Sequence, residues 1–245
     1  MRYLLFYRLL LPAAVATLMF CTAQAQPLKI PNDTAYTTRE PTPDGTGKVY
    51  MGREIARPVS REAADWLERP TREREERTDI LIKDLELKPT DAVADVGAGT
   101  GYIAFRLAAK VPKGLVVASD ILPEMVQDIK AQIAKRGIEN MKTVTATEKT
   151  PGMPPNFVDV VVMVDAYHEF AYPREMLRAI RESVRPGGRV VFVEYRAEDP
   201  NVLIKPLHKM TERQVIKEAS SVGLVYVKTR LTLPQQHMIF FERPR

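Results

Sequence analysis

Residues 93–107 read Val-Ala-Asp-Val-Gly-Ala-Gly-Thr-Gly-Tyr-Ile-Ala-Phe-Arg-Leu, and this stretch decides the fold. Val93–Val96 has the apolar bias of a buried strand, with one acid, Asp95, near its end. Glycines follow at 97, 99 and 101, and Tyr102, Ile103, Phe105 and Leu107 then give a helix an apolar face. Strand, glycine turn and helix open a nucleotide-binding type of α/β fold. Glycine lets the backbone turn tightly and approach a ligand, and the helix start offers unpaired N–H groups.

The chain after this stretch alternates strand and helix patterns. Val116–Asp120 is the second strand and ends in an acid about 20 residues past the turn, where a carboxylate can accept the hydroxyl hydrogens of a ribose. Pro123–Lys135 is a helix closed by Gly137. Met141–Ala146 is a short third strand. Phe157–Asp165 is rich in β-branched residues, as in a strand covered on both faces. A helix over 172–184, the turn Arg185-Pro-Gly-Gly188 and a fifth strand over 189–194 follow. Met210–Val222 is the last long helix, with Thr211-Glu-Arg-Gln214 as its capping box. Leu224–Leu231 and His237–Glu242 read as a closing pair of strands.

The spacing D95-x-G-x-G-x-G101 differs from the dinucleotide fingerprint, whose third glycine comes later. It resembles the first motif of class I S-adenosylmethionine (SAM)-dependent methyltransferases, and the resemblance extends over roughly residues 90–242. It implies an α/β fold with a seven-stranded, mostly parallel sheet, helices on both faces and an antiparallel C-terminal hairpin. It implies SAM as cofactor, held around Asp95, Gly97, Ala98, Gly99 and Gly101, with Asp120 on the ribose and Ile121 against the adenine. Glu148, Asp165 and, from the N-terminal segment, Tyr50 complete the expected cofactor set. The polar segment D165-A-Y-H-E-F170 falls beyond the carboxyl end of the fourth strand, where ligands of open α/β sheets bind.

Methyl transfer needs nucleophile, methyl carbon and sulfur in line, and positioning supplies much of the rate. An oxygen nucleophile also gains from a base. His168 is the catalytic candidate because an ordinary imidazole titrates near neutrality, and Glu169 is its neighbour. Arg53, Tyr167, Tyr195 and His208 are substrate candidates, Arg53 for an anionic group. The loops carrying His168, Glu169, Glu194 and His208 converge at one sheet edge. The acid pair and amide of metal-dependent relatives are not matched, so no metal is expected. The partner expected is a small-molecule methyl acceptor. A nicotinamide-dependent oxidoreductase and an exported, non-catalytic SAM-fold binding protein remain as alternatives.

The 245 residues suffice for a sizeable core, and 45% hydrophobic with 27% charged residues is ordinary globular composition. Residues 1–25 differ. Arg2 and Arg8 precede an apolar run of about 13 residues, shorter than a membrane span, and Ala23-Gln24-Ala25 offers small residues for a signal peptidase. This predicts a signal peptide over 1–25, cleavage after Ala25 and a periplasmic or secreted product; an uncleaved signal anchor is the other reading. Cleavage takes two arginines and the single cysteine, Cys21, and lowers the net charge from +5 to +3. Thiol catalysis and cysteine-ligated zinc are thereby excluded from the mature chain. Acids interleave with the bases, as in R72-E-R-E-E-R77, so nucleic-acid binding is not expected, nor is stable membrane insertion after signal removal. Residues 26–48 read as a flexible lead-in, 49–88 as an N-terminal helical cap with helices over 61–68 (Ser60 as cap) and 73–85, and 89–245 as the SAM-binding domain. Nothing in the sequence fixes the oligomeric state.

Overall fold

The computed structural model describes residues 35–59, 61 and 64–245. The expected signal peptide and Ser60 lie outside the described residues.

The glycine-turn stretch folds as expected. β4 (Ala92–Val96) is buried along its whole length, and α4 (Tyr102–Lys110) starts from Gly101, whose φ of 85° suits glycine. β5 (Leu115–Asp120), α5 (Pro123–Arg136), β6 (Met141–Thr145) and β7 (Val158–Val164) follow. α5 has Pro123 in its first turn and Gly137 as a left-handed C-cap. α6 (Pro173–Ser183) leads into β8 (Val184–Tyr195), and α7 (Glu212–Ser221) leads into β9 (Val225–Arg230) and β10 (Gln236–Glu242). The Thr211 side chain accepts the Gln214 N–H and caps α7; the Gln214 amide turns away to the Met51 carbonyl and Glu218 instead of closing the box.

These strands form one seven-stranded sheet in the order β6-β5-β4-β7-β8-β10-β9. β6 through β8 are parallel, and β10 runs antiparallel to both β8 and β9. The expected turn at 185–188 is instead the start of β8, with a register shift against β7 that absorbs the left-handed Gly187. One layer of core, including Leu107, Ile129 and Phe240, packs on one face of the sheet. A second, including Leu177, Ile180, Phe192 and Val215, packs on the other.

The segment before β4 departs from expectation. Residues 36–48, read as a flexible lead-in, contain β1 (Tyr36–Thr38) and most of β2 (Gly45–Tyr50); with β3 (Arg53–Ala56) they make an antiparallel three-stranded sheet. Glu54, 3% exposed, holds it together. Its carboxylate accepts the backbone N–H groups of Thr42 and Gly47 and the Thr42 hydroxyl, and pairs with Arg39. Polar bonds to one carboxylate thus replace the apolar bulk whose scarcity suggested flexibility. The helical cap begins only after β3. It comprises α1 (Ala64–Leu67), shorter than the helix expected over 61–68, then α2 (Arg72–Glu76) and α3 (Thr78–Asp84). The single helix expected over 73–85 is broken at Arg77, which is left-handed at φ 52°. Glu73 and Arg77, spaced i,i+4, do not pair. Glu73 accepts the Asp79 N–H and the Thr78 hydroxyl at the start of α3, while Arg77 pairs with Asp79.

Candidate active site

Beyond the carboxyl ends of β4, β5, β7 and β8 lies a cavity of about 600 Å³. Gly97, Gly99, Asp120, Ile121, Glu148 and Asp165 line it, as do His168, Glu169, Tyr195 and His208. The sequence therefore gathers ten of its candidates around one space. That size suits a small-molecule site.

The glycine turn forms one wall. A Cβ on Gly97 would stand 2.5 Å from the Ala166 Cβ, and one on Gly99 would meet the Leu67 side chain at 2.8 Å. The turn is held by Asp120, which accepts the Gly99 N–H at 2.7 Å and the Leu122 N–H at 2.9 Å. Burial nonetheless pushes the Asp120 carboxyl upward, against these N–H groups. Asp165, left-handed at φ 49° where β7 ends, accepts from the Gln236 amide through Oδ2. Its Oδ1 is buried and has no partner among the described residues. Burial, then Glu76 and Glu194, raise the Asp165 carboxyl well above the usual range.

The cavity is also lined by His168 and Glu169 of the turn Tyr167–Glu169 and by His208 of the loop beyond β8. His168 is 2% exposed. Its Nδ1 lies 2.6 Å from the carboxylate of Glu194, itself wholly buried near the end of β8. Glu194 also accepts the Tyr167 N–H, so it fixes both the turn and the ring. The His168 Nε2 faces the His208 Nδ1 at 3.2 Å. Burial opposes a charge on His168, but Glu194 and then Glu169 push it up to about 10, away from the near-neutral value expected. Burial also opposes ionisation of Glu169, yet the facing His168 and His208 rings hold its carboxyl down at about 2.

Six candidates sit elsewhere. Tyr50 is buried, with its ring 5.3 Å from that of Tyr36 and its hydroxyl 3.2 Å from the Ser221 Oγ. Arg53 clamps Glu218 of α7 through two nitrogens and donates to the His168 carbonyl at 3.0 Å. Tyr167 donates its hydroxyl to the same Glu218. Arg53 and Tyr167 thus brace the turn from behind, while the cavity wall belongs to His168 and Glu169. Asp95 and Ala98 are buried behind the glycine turn, and Gly101 packs against Phe105 and Ile129.

Some lining residues escaped the sequence reading. Arg72 and Glu76 pair at 2.9 Å on the wall, both buried; Glu76 also meets Arg69 and accepts the Tyr195 hydroxyl. The i,i+4 spacing of Arg72 and Glu76 was the available signal, hidden in a charge-rich segment that reads as a solvated face. Trp66 and Leu203, 50% and 91% exposed, put apolar surface on the cavity rim beside Ile121.

The strand order with its antiparallel β10 and the crevice beyond the strand ends are those of the class I SAM-dependent methyltransferase fold, and residues 94–190 match the family described as "Methyltransferase domain". The chain is similar to that family over this span, less than half of its length. It is 26% identical over 144 residues to the uncharacterized methyltransferase YcgJ of Bacillus subtilis, covering 58% of this chain and 56% of that one. It is 27% identical over 121 residues to the ubiquinone/menaquinone biosynthesis C-methyltransferase of Ectopseudomonas mendocina, covering 49% and 47%. The chain thus spans about half the length of the curated relatives it matches. A SAM-dependent methyltransferase from Aquifex aeolicus superposes with a TM-score of 0.70 at 22% identity, over 75% of this chain and 98% of that one, a likeness of fold.

The cofactor of this family is SAM, and the cavity fits it. The turn is narrow enough that a side chain at Gly97 or Gly99 would collide with its neighbours. Asp120 and the unpartnered Asp165 Oδ1 supply acceptors, and SAM brings hydroxyl and ammonium donors.

Proposed function

We propose that this protein is an active methyltransferase that moves the SAM methyl group to a small acceptor by in-line displacement. The observation that carries this is one cavity lined both by the glycine turn with Asp120 and by the Glu194-braced His168 with Glu169 and His208. In this reading Asp120 takes the ribose hydroxyls, and Ile121 and Glu148 flank the adenine. Asp165 stands at the methionine end. When bound, SAM supplies an electrophilic methyl on a sulfonium. His168 orients the acceptor's nucleophilic oxygen or enol toward that methyl, and Glu194 keeps its ring from rotating. Arg53 and Tyr167 act as positioning residues, through the turn they brace. Phe170, Trp66 and Leu203 offer apolar surface to the acceptor's body. The relative named for ubiquinone and menaquinone biosynthesis supports an apolar, oxygen-bearing acceptor.

Calorimetric titration with SAM and its demethylated product tests the cofactor half. Asp120→Ala should weaken SAM binding by about 1–3 kcal/mol through loss of a buried acceptor. Turnover of His168→Ala on a panel of phenols, enols and carboxylic acids tests the acceptor half; a fall in kcat of about 10²-fold or more is expected. Wild-type turnover by the mutant would remove His168 from the chemistry.

The reading also includes export. Arg2, Arg8, the apolar run and Ala23-Gln24-Ala25 support a cleaved signal that delivers the protein to the periplasm or outside. Mass analysis of the amino terminus after cell fractionation should find Gln26 first.

A further inference from the structure

His168, Glu169 and His208 carry more than an acceptor contact. The His168 Nε2, His208 Nδ1 and Glu169 Oε1 form a triangle with edges of 3.2, 3.7 and 3.4 Å. A tetrahedral ion with bonds of about 2.0–2.1 Å holds its ligand atoms roughly 3.4 Å apart. The three atoms are therefore spaced as one ion would space them, within a few tenths of an ångström.

Each ligand is also aimed from behind. Glu194 takes the Nδ1 side of His168 and leaves Nε2 toward the triangle. A carboxylate behind a ligating imidazole fixes the ring and raises its basicity. The Val59 N–H donates to the Glu169 Oε2 at 3.0 Å, which turns Oε1 inward. That Oε1 is buried and has no hydrogen-bond partner among the described residues. His208 is fixed by the short helical turn that follows Lys205. Two carboxylates, Glu169 and Glu194, give the site a negative field. The remaining coordination positions open into the cavity that all three ligands line.

We propose that His168, Glu169 and His208 bind one divalent transition-metal ion, zinc in the first instance. Two imidazole nitrogens and one carboxylate oxygen with an open position make a donor set of the catalytic zinc kind. The sequence reading expects no metal because the acid pair and amide of metal-dependent relatives are not matched; the set found here is of another kind, two histidines and one glutamate. The ion's role, holding the acceptor's oxygen toward the methyl group, rests on the methyl-transfer reading; the binding site itself does not.

The test is calorimetric titration of untagged, chelator-stripped protein with Zn²⁺, alongside Co²⁺ absorption. One site of micromolar or tighter affinity is expected, with the visible bands of a four- or five-coordinate cobalt ion. His208→Ala and Glu169→Gln should each weaken Zn²⁺ at least a hundredfold, and Glu194→Gln by about 10–100-fold, as loss of a supporting carboxylate does. His208 sits on a partly exposed turn, so its variant separates metal loss from misfolding, which circular dichroism checks. Binding only at millimolar Zn²⁺, or affinity unchanged in both His208→Ala and Glu169→Gln, overturns the site. SAM titrations on the same samples keep the two readings apart. SAM binding without zinc binding ends the metal site alone, and zinc binding without SAM binding ends the methyl-transfer reading while the site stands.

Discussion

Two buried carboxylates, one in each sheet, sit in opposite circumstances. Glu54 of the three-stranded sheet is surrounded by donors: two backbone N–H groups, a hydroxyl and a guanidinium. Asp95 of the seven-stranded sheet lies among valines and alanines, with Asp120 nearby and its Oδ2 unpartnered among the described residues. Burial opposes ionisation of both, but the donors hold Glu54 down at about 2. For Asp95, burial and then the Asp120 charge push the carboxyl up to about 7. The small sheet is organised by an ionised acid, and the large one is organised by apolar packing that tolerates an acid.

Three measurements can break this contrast. The largest effect belongs to the apolar core. Phe192 is wholly buried on β8, with the rings of Tyr167 and Phe241 edge-on to it. Phe192→Ala should cost about 3–5 kcal/mol by denaturant unfolding; a loss below 1 kcal/mol would mean the large sheet does not depend on its packing.

The second concerns Asp95. The folded chain keeps the Asp95 proton up to about pH 7, while the unfolded chain releases it near the ordinary value of 3.8. Stability therefore falls as pH rises from about 4 to 7. Asp95→Asn should remove that slope and stabilise the protein at pH 8 by on the order of 2 kcal/mol. A variant that is no more stable at pH 8 than the parent would place an unseen donor beside Asp95.

The third and smallest effect is local. The contribution of Glu54 is complete above about pH 4.5 and erodes as pH falls toward 2, where the folded group at last takes a proton. Glu54→Gln should speed amide hydrogen exchange at Thr42 and Gly47 at pH 6, with the amides of β4 and β7 unchanged. Equal acceleration in both sheets would show that the small sheet has no independent anchor.

The same contrast explains what the sequence revealed. The alternating core was legible because valine runs, glycine turns and helix caps are local signals; β4, β5, β7, α5 and the β9–β10 pair all fall where the pattern puts them. The cavity side of the site was legible through topology, since residues after parallel strands converge. Glu54 was not legible, because its partners at 39, 42 and 47 are recognisable only once the strands have paired. The buried contacts of Arg53 and Tyr167 were not legible for a related reason: their partner, Glu218, lies far along the chain on α7. Arg72 and Glu76 looked solvated because nothing in R72-E-R-E-E-R77 distinguishes the pair that turns inward.

β10 follows every other strand of the large sheet in chain order, yet it lies between β8 and β9 with nearly all its residues buried. A nascent chain that has emerged only through β9 cannot close the sheet. It carries an unfilled slot beside β8, where Ile239 and Phe241 will sit. Completion must await the synthesis of β10, and a chain stalled before residue 236 would present that open β8 edge to chaperones and proteases.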